Sequence, residues 1–163
     1  MSDEELRPYF PLPRIMDGLF QVMTRLYGIK EEPQSNVDLW ESGVLYYTLT
    51  DSKGKTVGSL YADLYARQNK RSGAWMDECL LRKNLNNQQQ NPVAHLVCNY
   101  TKPGDGKPTL LSHDEIVTLF HEFGHALHGL LSQCTYESLS GTSTPRDFVE
   151  LPSQIMVNWA AEP

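Results

Sequence analysis

The segment 112–131 constrains the fold more than any other part of the chain. Ser112 stands three residues before Glu115, which is the capping-box pattern that opens a helix. Apolar residues then recur every three or four positions, so the segment is predicted to be an amphipathic helix that ends near Leu131. Such a helix must bury its apolar face against another layer of the protein.

Three of the chain's five histidines lie on the polar face of this helix. His121 and His125 are four residues apart, so both imidazoles can reach one ion. Together with Glu122 they form the pattern His-Glu-x-x-His, in which two imidazoles bind zinc and the glutamate is the general base. His128 shares the face but is not required by the pattern, and a structural or exposed role is the alternative for it.

A catalytic zinc site needs a third protein ligand. The version of the motif with a third histidine is excluded, because Leu131 stands where that histidine would be. Glu150, which follows a glycine-containing connector, is the preferred acidic ligand. Asp147 and Glu137 compete with it, but Asp147 is better explained as a helix-capping residue and Glu137 falls in the connector.

A second helix is predicted to carry Glu150. Thr144 is placed to be its N-cap and Pro145 its first helical residue. Pro152 cannot donate a backbone hydrogen bond and is therefore expected to bend this helix just after Glu150.

The strands are predicted upstream of these helices. Segments 44–50 and 56–66 are rich in β-branched and aromatic residues and flank a short glycine-containing turn, which indicates a hairpin. Segment 92–100 is an apolar run of strand length, and 71–76 is a further short strand. The polar segment 84–91 is predicted to be an exposed loop. Strands followed by helices indicate an α+β fold rather than alternating α/β.

One domain accounts for the whole chain of 163 residues. Residues 1–36 form an opening segment with one short helix that ends at Gly28, followed by a loop at 31–36. The sheet region is assigned to residues 37–110 and the metal-binding helices to residues 111–163.

Composition argues against several classes of partner. The formal net charge is −6 and no cluster of lysine and arginine is present, which disfavours nucleic acid. No apolar run approaches the roughly 20 residues that cross a bilayer, and the N-terminus does not resemble a signal peptide. Three widely spaced cysteines predict no disulfide framework. We therefore expect a cytoplasmic protein without a membrane partner.

Four separated motifs, HEFGHALHGLL, SGTSTPRDFVELPSQ, LYARQNKRSGAWM and ELRPYFPL, resemble the thimet-oligopeptidase family of zinc metallopeptidases. The details are most similar to the oligopeptidase A and bacterial peptidyl-dipeptidase members, and the resemblance extends over essentially the whole chain. It implies that His121, His125 and Glu150 hold one zinc ion and that Glu122 is the catalytic base. It also implies a zincin-like core, in which a small mixed sheet packs against the two ligand-bearing helices, and short peptides as substrates.

The resemblance gives segment 71–76 a role as the edge strand that pairs with the backbone of an extended substrate. The small residues Gly73 and Ala74 would let a peptide come close, and a strand end with an ordinary glycine bulge is the alternative. Family members are much longer, which implies helical portions before Met1 and after Pro163, the second of them bearing the oxyanion donors. The chain alone is then expected to be weakly active or inactive.

Two other interpretations stay open at this point. One is a non-catalytic zinc-binding fragment or interaction domain, although a purely structural site would not need Glu122. The other is a helical module without metal, which a metal analysis would distinguish.

Overall fold

The computed structural model describes residues 3–86, 88–104 and 106–161. The α-helices are α1 (Asp3–Leu6), α2 (Leu12–Tyr27), α3 (His113–Leu130) and α4 (Glu150–Ala161), and short 3-10 helices span Arg7–Tyr9 and Glu137–Leu139. The strands are β1 (Lys30–Pro33), β2 (Leu45–Thr50), β3 (Thr56–Tyr65), β4 (Trp75–Leu80), β5 (Lys83–Leu85), β6 (Gln88–Gln90) and β7 (Val93–Tyr100). The predicted α+β class is confirmed.

Five of the strands form one mixed sheet in the order β1-β2-β3-β7-β4. Strands β3 and β7 are parallel, and the other neighbouring pairs are antiparallel. The hairpin predicted around the glycine-containing turn is confirmed as β2 and β3. Strand β4 has β7 as its neighbour on one side and forms the edge of the sheet on the other.

The hydrophobic core lies between one face of this sheet and the helices α2 and α3. Alternate residues of a strand point to the same face, so β3 and β7 each contribute every second side chain to it. The largest fully buried side chains include Leu19, Met23, Leu60, Leu96, Leu119 and Phe123. Because α3 turns its apolar face to the sheet, its histidine face points away from the core.

Helix α3 begins with the predicted capping box. The Ser112 hydroxyl accepts a hydrogen bond from the backbone N–H of Glu115 at 3.2 Å, and the Glu115 carboxylate accepts one from the Ser112 N–H at 2.7 Å. The box satisfies two N–H groups that the first turn of a helix otherwise leaves unpaired.

Lys70 joins the ends of the two parallel strands. Its Nζ donates hydrogen bonds to the backbone carbonyls of Asp63, Tyr65 and Cys98 at 2.6–2.9 Å, and to the Asp63 carboxylate at 2.9 Å. Arg67 donates two further hydrogen bonds to that carboxylate. Burial alone would raise the pKa of Asp63, but the hydrogen bonds from Arg67 and Lys70 outweigh burial and lower it.

Two expectations for the N-terminal part were wrong. Helix α2 is longer than predicted, because Pro13 falls in its first turn, where a missing N–H leaves no hydrogen bond unmade. Residues 30–33 form strand β1 rather than a loop, since pairing with β2 satisfies their backbone groups despite a polar sequence.

Two polar or short segments also differ from their predictions. Most of segment 84–91 is not a loop but belongs to the small antiparallel pair β5 and β6. Strand β4 begins at Trp75 and runs to Leu80, so only the last two residues of the predicted strand 71–76 belong to it. Pairing of β4 with β7 continues through Glu78 and Leu80, which extends the strand.

Helix α4 begins at Glu150, not after Thr144 as predicted. The backbone N–H groups of Phe148 and Val149 both bond to the Pro145 carbonyl, but this turn does not continue as one helix. Pro152 has no N–H for the Phe148 carbonyl, which accepts from Leu151 instead. Pro152 therefore lies in the first turn of α4, where it is tolerated, and the expected bend inside a longer helix was wrong.

Within the described ranges no helix is both long and apolar enough to cross a lipid bilayer. The three cysteines, Cys79, Cys98 and Cys134, are free thiols.

Candidate metal centre

Helices α3 and α4 bring three metal-binding side chains to one point. The Nε2 atoms of His121 and His125 each lie 3.2 Å from the same Glu150 oxygen, Oε2. One ligand atom from each of the three residues lies within 4.8 Å of the other two. In the part of the chain that the structure describes, this is the one such group of three or more.

The close approach of the two helices depends on Gly124. It lies between the two histidines and directly under the first turn of α4. A Cβ atom at this position would lie 2.5 Å from the Cα of Ser153 and 2.9 Å from the carbonyl oxygen of Pro152. The absence of a side chain at Gly124 is therefore what lets α4 carry Glu150 to the histidines.

The Glu150 carboxylate is oriented from within its own helix. The hydroxyl of Ser153, which is fully buried, donates to the backbone carbonyl of Glu150 at 2.8 Å and to its Oε2 at 3.1 Å. The histidine side chains are mostly buried, with exposed fractions of 24% for His121 and 13% for His125, whereas that of Glu150 is 56% exposed. The group thus opens to solvent on the α4 side.

The three donors fit a zinc ion. Nitrogen and oxygen ligands bound about 2.0–2.2 Å from a tetrahedral zinc are separated from one another by roughly 3.3–3.6 Å. The observed 3.2 Å between each imidazole and the carboxylate is close to that spacing. Two imidazoles and one carboxylate, with one side open, are also the donor set of catalytic rather than structural zinc sites.

Glu122 lies beside this group without belonging to it. Burial raises the pKa of its carboxyl group, the imidazoles of His121 and His125 act in the opposite direction, and the Glu150 carboxylate adds to the rise. A hydrogen bond from the backbone of Met76, in β4, also favours the ionised form. Glu122 is thus placed between the candidate metal ligands and the edge strand.

An open groove of about 270 Å³ runs between β4 and α3. It is lined by Ala74, Trp75, Met76, Glu122, His125, Thr142 and Val149. The edge strand, the candidate base and one candidate ligand therefore face the same groove. The connector between α3 and α4, residues 131–149, supplies its remaining wall.

Comparison with known proteins agrees with this site. The sequence model of Peptidase family M3 matches residues 1–163, which is the whole chain. The chain belongs to this family. The candidate metal site of two histidines and a glutamate in this chain agrees with its membership of a family of metallopeptidases.

Individual relatives support the assignment to family M3. The chain is 51% identical over its full length to Oligopeptidase A of Escherichia coli and 50% identical to that of Salmonella typhimurium. It is 43% identical, again over its full length, to a Dipeptidyl carboxypeptidase of Salmonella typhimurium. It spans only 24% of the length of each of these relatives.

Of the two predicted substrate-binding residues of this M3 chain, Ala74 lies in the groove and Gly73 does not. Ala74 lines the groove, whereas Gly73 lies one residue further from it, in the turn before β4. Nothing lies within 4 Å of a Cβ built on Gly73, and its φ of +94° is the feature that favours glycine. The side-chain amide of Asn99 holds this turn by donating to the carbonyls of Arg71 and Gly73.

The competing ligand candidates lie outside the metal group. Glu137 is paired with Lys83 at 3.3 Å, and Asp147 is exposed in the turn before α4. His128 lies one turn beyond His125, and its ring is 6.5 Å from that of Phe148. Its Nδ1 is buried and has no hydrogen-bond partner within the described ranges. Burial lowers the pKa of His128, which favours a neutral side chain.

Sequence reasoning did not identify every residue of the groove. Thr142 and Val149 are contributed by the connector, whose conformation depends on contacts with β4 and α3 that no local pattern reveals. Met76 was part of the predicted edge strand, but its bond to Glu122 had no signal in the sequence.

Proposed function

We propose that this chain is the metal-binding core of a zinc-dependent peptidase that hydrolyses peptide bonds in short peptides. His121, His125 and Glu150 hold the zinc ion, and Glu122 is the general base. The fold around them is proposed to be zincin-like, with the mixed sheet packed on the ligand-bearing helices. The observation that carries this proposal is the convergence of three donors from two helices beside the carboxylate of Glu122.

Each of these residues has a separate chemical task. Zinc, when bound, acts as a Lewis acid and makes a water molecule acidic enough to lose its proton near neutral pH. A carboxylate oxygen of Glu122 accepts that proton and delivers it to the nitrogen of the leaving amine. The backbone of Met76, in β4, favours the ionised form of Glu122, which is the form that can accept a proton.

The substrate is proposed to bind along β4. The outer edge of this strand has no strand neighbour among the described residues, so an extended peptide can add to the sheet there. Ala74 leaves room for a peptide chain at the start of the groove, and Gly73 shapes the turn before it. A peptide in this position would run past Glu122 and His125.

The relatives suggest two activities, removal of dipeptides and cleavage as an oligopeptidase, and the groove alone does not favour one of them. Zinc-site hydrolysis of short peptides is common to both. We propose a cytoplasmic location and short peptides as partners, without a membrane partner. The acidic composition disfavours nucleic acid as a partner. We also propose that turnover needs groups outside the quarter of the family sequence that this chain represents.

Metal analysis of purified variants tests the ligand set. His121→Ala, His125→Ala and Glu150→Ala should each lose stoichiometric zinc, because removing one of three protein donors leaves an incomplete site. His128→Ala is the matched control and should retain one zinc per chain, because His128 is outside the group.

Full zinc occupancy in Glu150→Ala would contradict the assignment of the third ligand. A wild-type chain that binds no zinc would favour the interpretation as a module without metal. If the chain binds zinc but substitution of Glu122 has no effect on hydrolysis, the interpretation as a non-catalytic zinc domain would be favoured.

A further inference from the structure

A carboxylate on β4 lies beneath the connector. Glu78 belongs to the edge strand, and the space around its side chain is bounded by two glycines, Gly129 of α3 and Gly141 of the connector. A Cβ atom on Gly129 would lie 2.6 Å from the Oε1 atom of Glu78, and a Cβ atom on Gly141 would overlap that atom. The two glycines therefore leave the room that the Glu78 carboxylate fills.

This carboxylate holds the connector through one of its oxygens. The Thr142 hydroxyl donates a hydrogen bond of 2.8 Å to Glu78 Oε2. The other oxygen, Oε1, is buried and has no hydrogen-bond partner among the described residues. A buried acceptor without a partner costs stability, whereas an apolar side chain at this inward-facing position would not. The carboxylate is thus not explained by packing alone.

Thr142 connects Glu78 to the candidate metal centre in two ways. It lines the groove together with Glu122 and His125. It also lies in the connector that leads directly into Glu150, the first residue of α4. Movement of the connector would therefore change both the groove wall and the position of a metal ligand.

We propose that Glu78 is a positioning residue for the metal centre: by holding the Thr142 hydroxyl, it fixes the connector that presents Glu150. The identity of the site as a metal centre rests on the proposed function. The contact between Glu78 and Thr142 is independent of that function. Glu78 is not among the residues that line the groove, and its hydrogen bond from the Thr142 hydroxyl is the polar contact through which it holds the connector.

The test compares variants of Thr142 and Glu78 in the complete chain. Thr142→Val keeps the size of the side chain and removes the donor, Thr142→Ser keeps the donor, and Glu78→Ala removes the acceptor. Glu137→Ala is the control, because it removes a carboxylate from the same connector at an exposed pair with Lys83. Circular dichroism and the melting temperature show whether each variant is folded.

Two measurements follow, one with metal and one without. The zinc dissociation constant, from competition with a chelating dye, should rise about tenfold in Thr142→Val and in Glu78→Ala, the lower end of effects seen for residues that orient metal ligands. Thr142→Ser and Glu137→Ala should match the wild type. In the metal-free chain, backbone amides of residues 143–149 should exchange hydrogen faster in Thr142→Val than in Thr142→Ser.

A folded Thr142→Val variant with the zinc affinity and amide exchange of the wild type would overturn the role of Glu78. If the wild type itself binds no zinc, the proposed function fails, and the exchange measurement still decides whether Glu78 fixes the connector. Since Glu78→Ala also opens a cavity, Thr142→Val decides the outcome if Glu78→Ala does not fold.

Discussion

Gly124 shows how a residue without a side chain can define a metal site. It lies between His121 and His125, directly against the backbone of Pro152 and Ser153 in the first turn of α4. The pattern His-Glu-x-x-His leaves this position unspecified. In this protein, the geometry that brings Glu150 within reach depends on it.

Gly124→Ala tests that dependence. The added Cβ would lie 2.5 Å from the Ser153 Cα, so α4 must shift and carry Glu150 away from the histidines. We expect weaker zinc binding and a loss of about 1–3 kcal/mol in the free energy of unfolding, as for other overpacked sites. Gly18→Ala, in α2 with no atom within 4 Å of the new Cβ, is the matched control and should be neutral or stabilising. Equal zinc affinity of the two variants would show that the helix contact is not needed.

Glu122→Gln tests the general base. An amide cannot accept the proton from water, so hydrolysis should fall by about 10²–10⁴-fold while one zinc per chain is kept. Cleavage of a quenched fluorescent peptide can be followed in this chain and, for a larger signal, in a longer protein that contains it. The exposed Glu137→Gln serves as the control. More than half of wild-type activity in Glu122→Gln would place the base elsewhere.

At the scale of elements, local patterns predicted helix α3 well and the start of helix α4 poorly. The capping box of Ser112 and Glu115 and the apolar periodicity act within one helix, so they are visible in the sequence. The start of α4 depends on Pro152, whose missing N–H interrupts the helix on its N-terminal side. The prediction of an N-cap at Thr144 used local residue preferences and did not take into account that Pro152 interrupts the helix.

The pairing of strands was the least predictable feature. Strands β3 and β7 are separated by β4 and by the β5–β6 pair, and no local signal shows that they are parallel neighbours. The polar strands β1, β5 and β6 have no β-like composition, and only their pairing partners make them strands. For the site, the motif and the family resemblance identified His121, His125 and Glu150, whereas Glu78 and Thr142 emerge only from contacts across elements.

The cluster around Asp63 makes a prediction for stability in acid. The folded protein holds the pKa of Asp63 below its ordinary value of about 3.9, so its contribution to stability is complete above that pH and is lost as pH falls through the lower, folded-state pKa. Asp63→Asn should reduce stability at pH 7 and weaken the fall in stability at acidic pH. Urea unfolding at several pH values measures both effects. Asp51→Asn provides the comparison: backbone hydrogen bonds in a turn, led by that from Lys55, lower the pKa of this carboxyl group without the two buried ion pairs of Asp63. A variant with the wild-type acid dependence would show that Asp63 does not contribute to it.

At the scale of the whole molecule, we expect zinc binding without efficient turnover. All three proposed ligands and the base lie within the chain, so metal capture needs no other segment. Oxyanion donors, each worth about 10²–10³ in kcat, are expected in the remainder of the family sequence. Metal content and peptide cleavage should be measured on one preparation and compared with a longer protein that contains this core. Activity within about tenfold of that protein would refute the idea that catalytic groups are missing.

Helix α4 also presents an apolar stripe to solvent. Leu151, Ile155 and Trp159 follow one another at helical spacing and are 44–50% exposed. Such a stripe predicts association of the chain at high concentration. Sedimentation or light scattering should show it, and Ile155→Glu should reduce it. Gln21→Glu, which adds one negative charge at an exposed site on α2, is the control for the change in charge. A chain that stays monomeric at high concentration would contradict the prediction.

The position of β4 at the edge of the sheet has a consequence for the order of folding. During synthesis β4 emerges before β7, yet among the described residues β7 is the one strand that pairs with β4. Strands β1 to β3 can pair as an antiparallel meander before β7 has been synthesised, whereas β4 cannot yet pair with β7. The proposed substrate-binding edge therefore acquires its backbone pairing only after β7 has taken its place between β3 and β4, and the groove needs α3 and the connector as well.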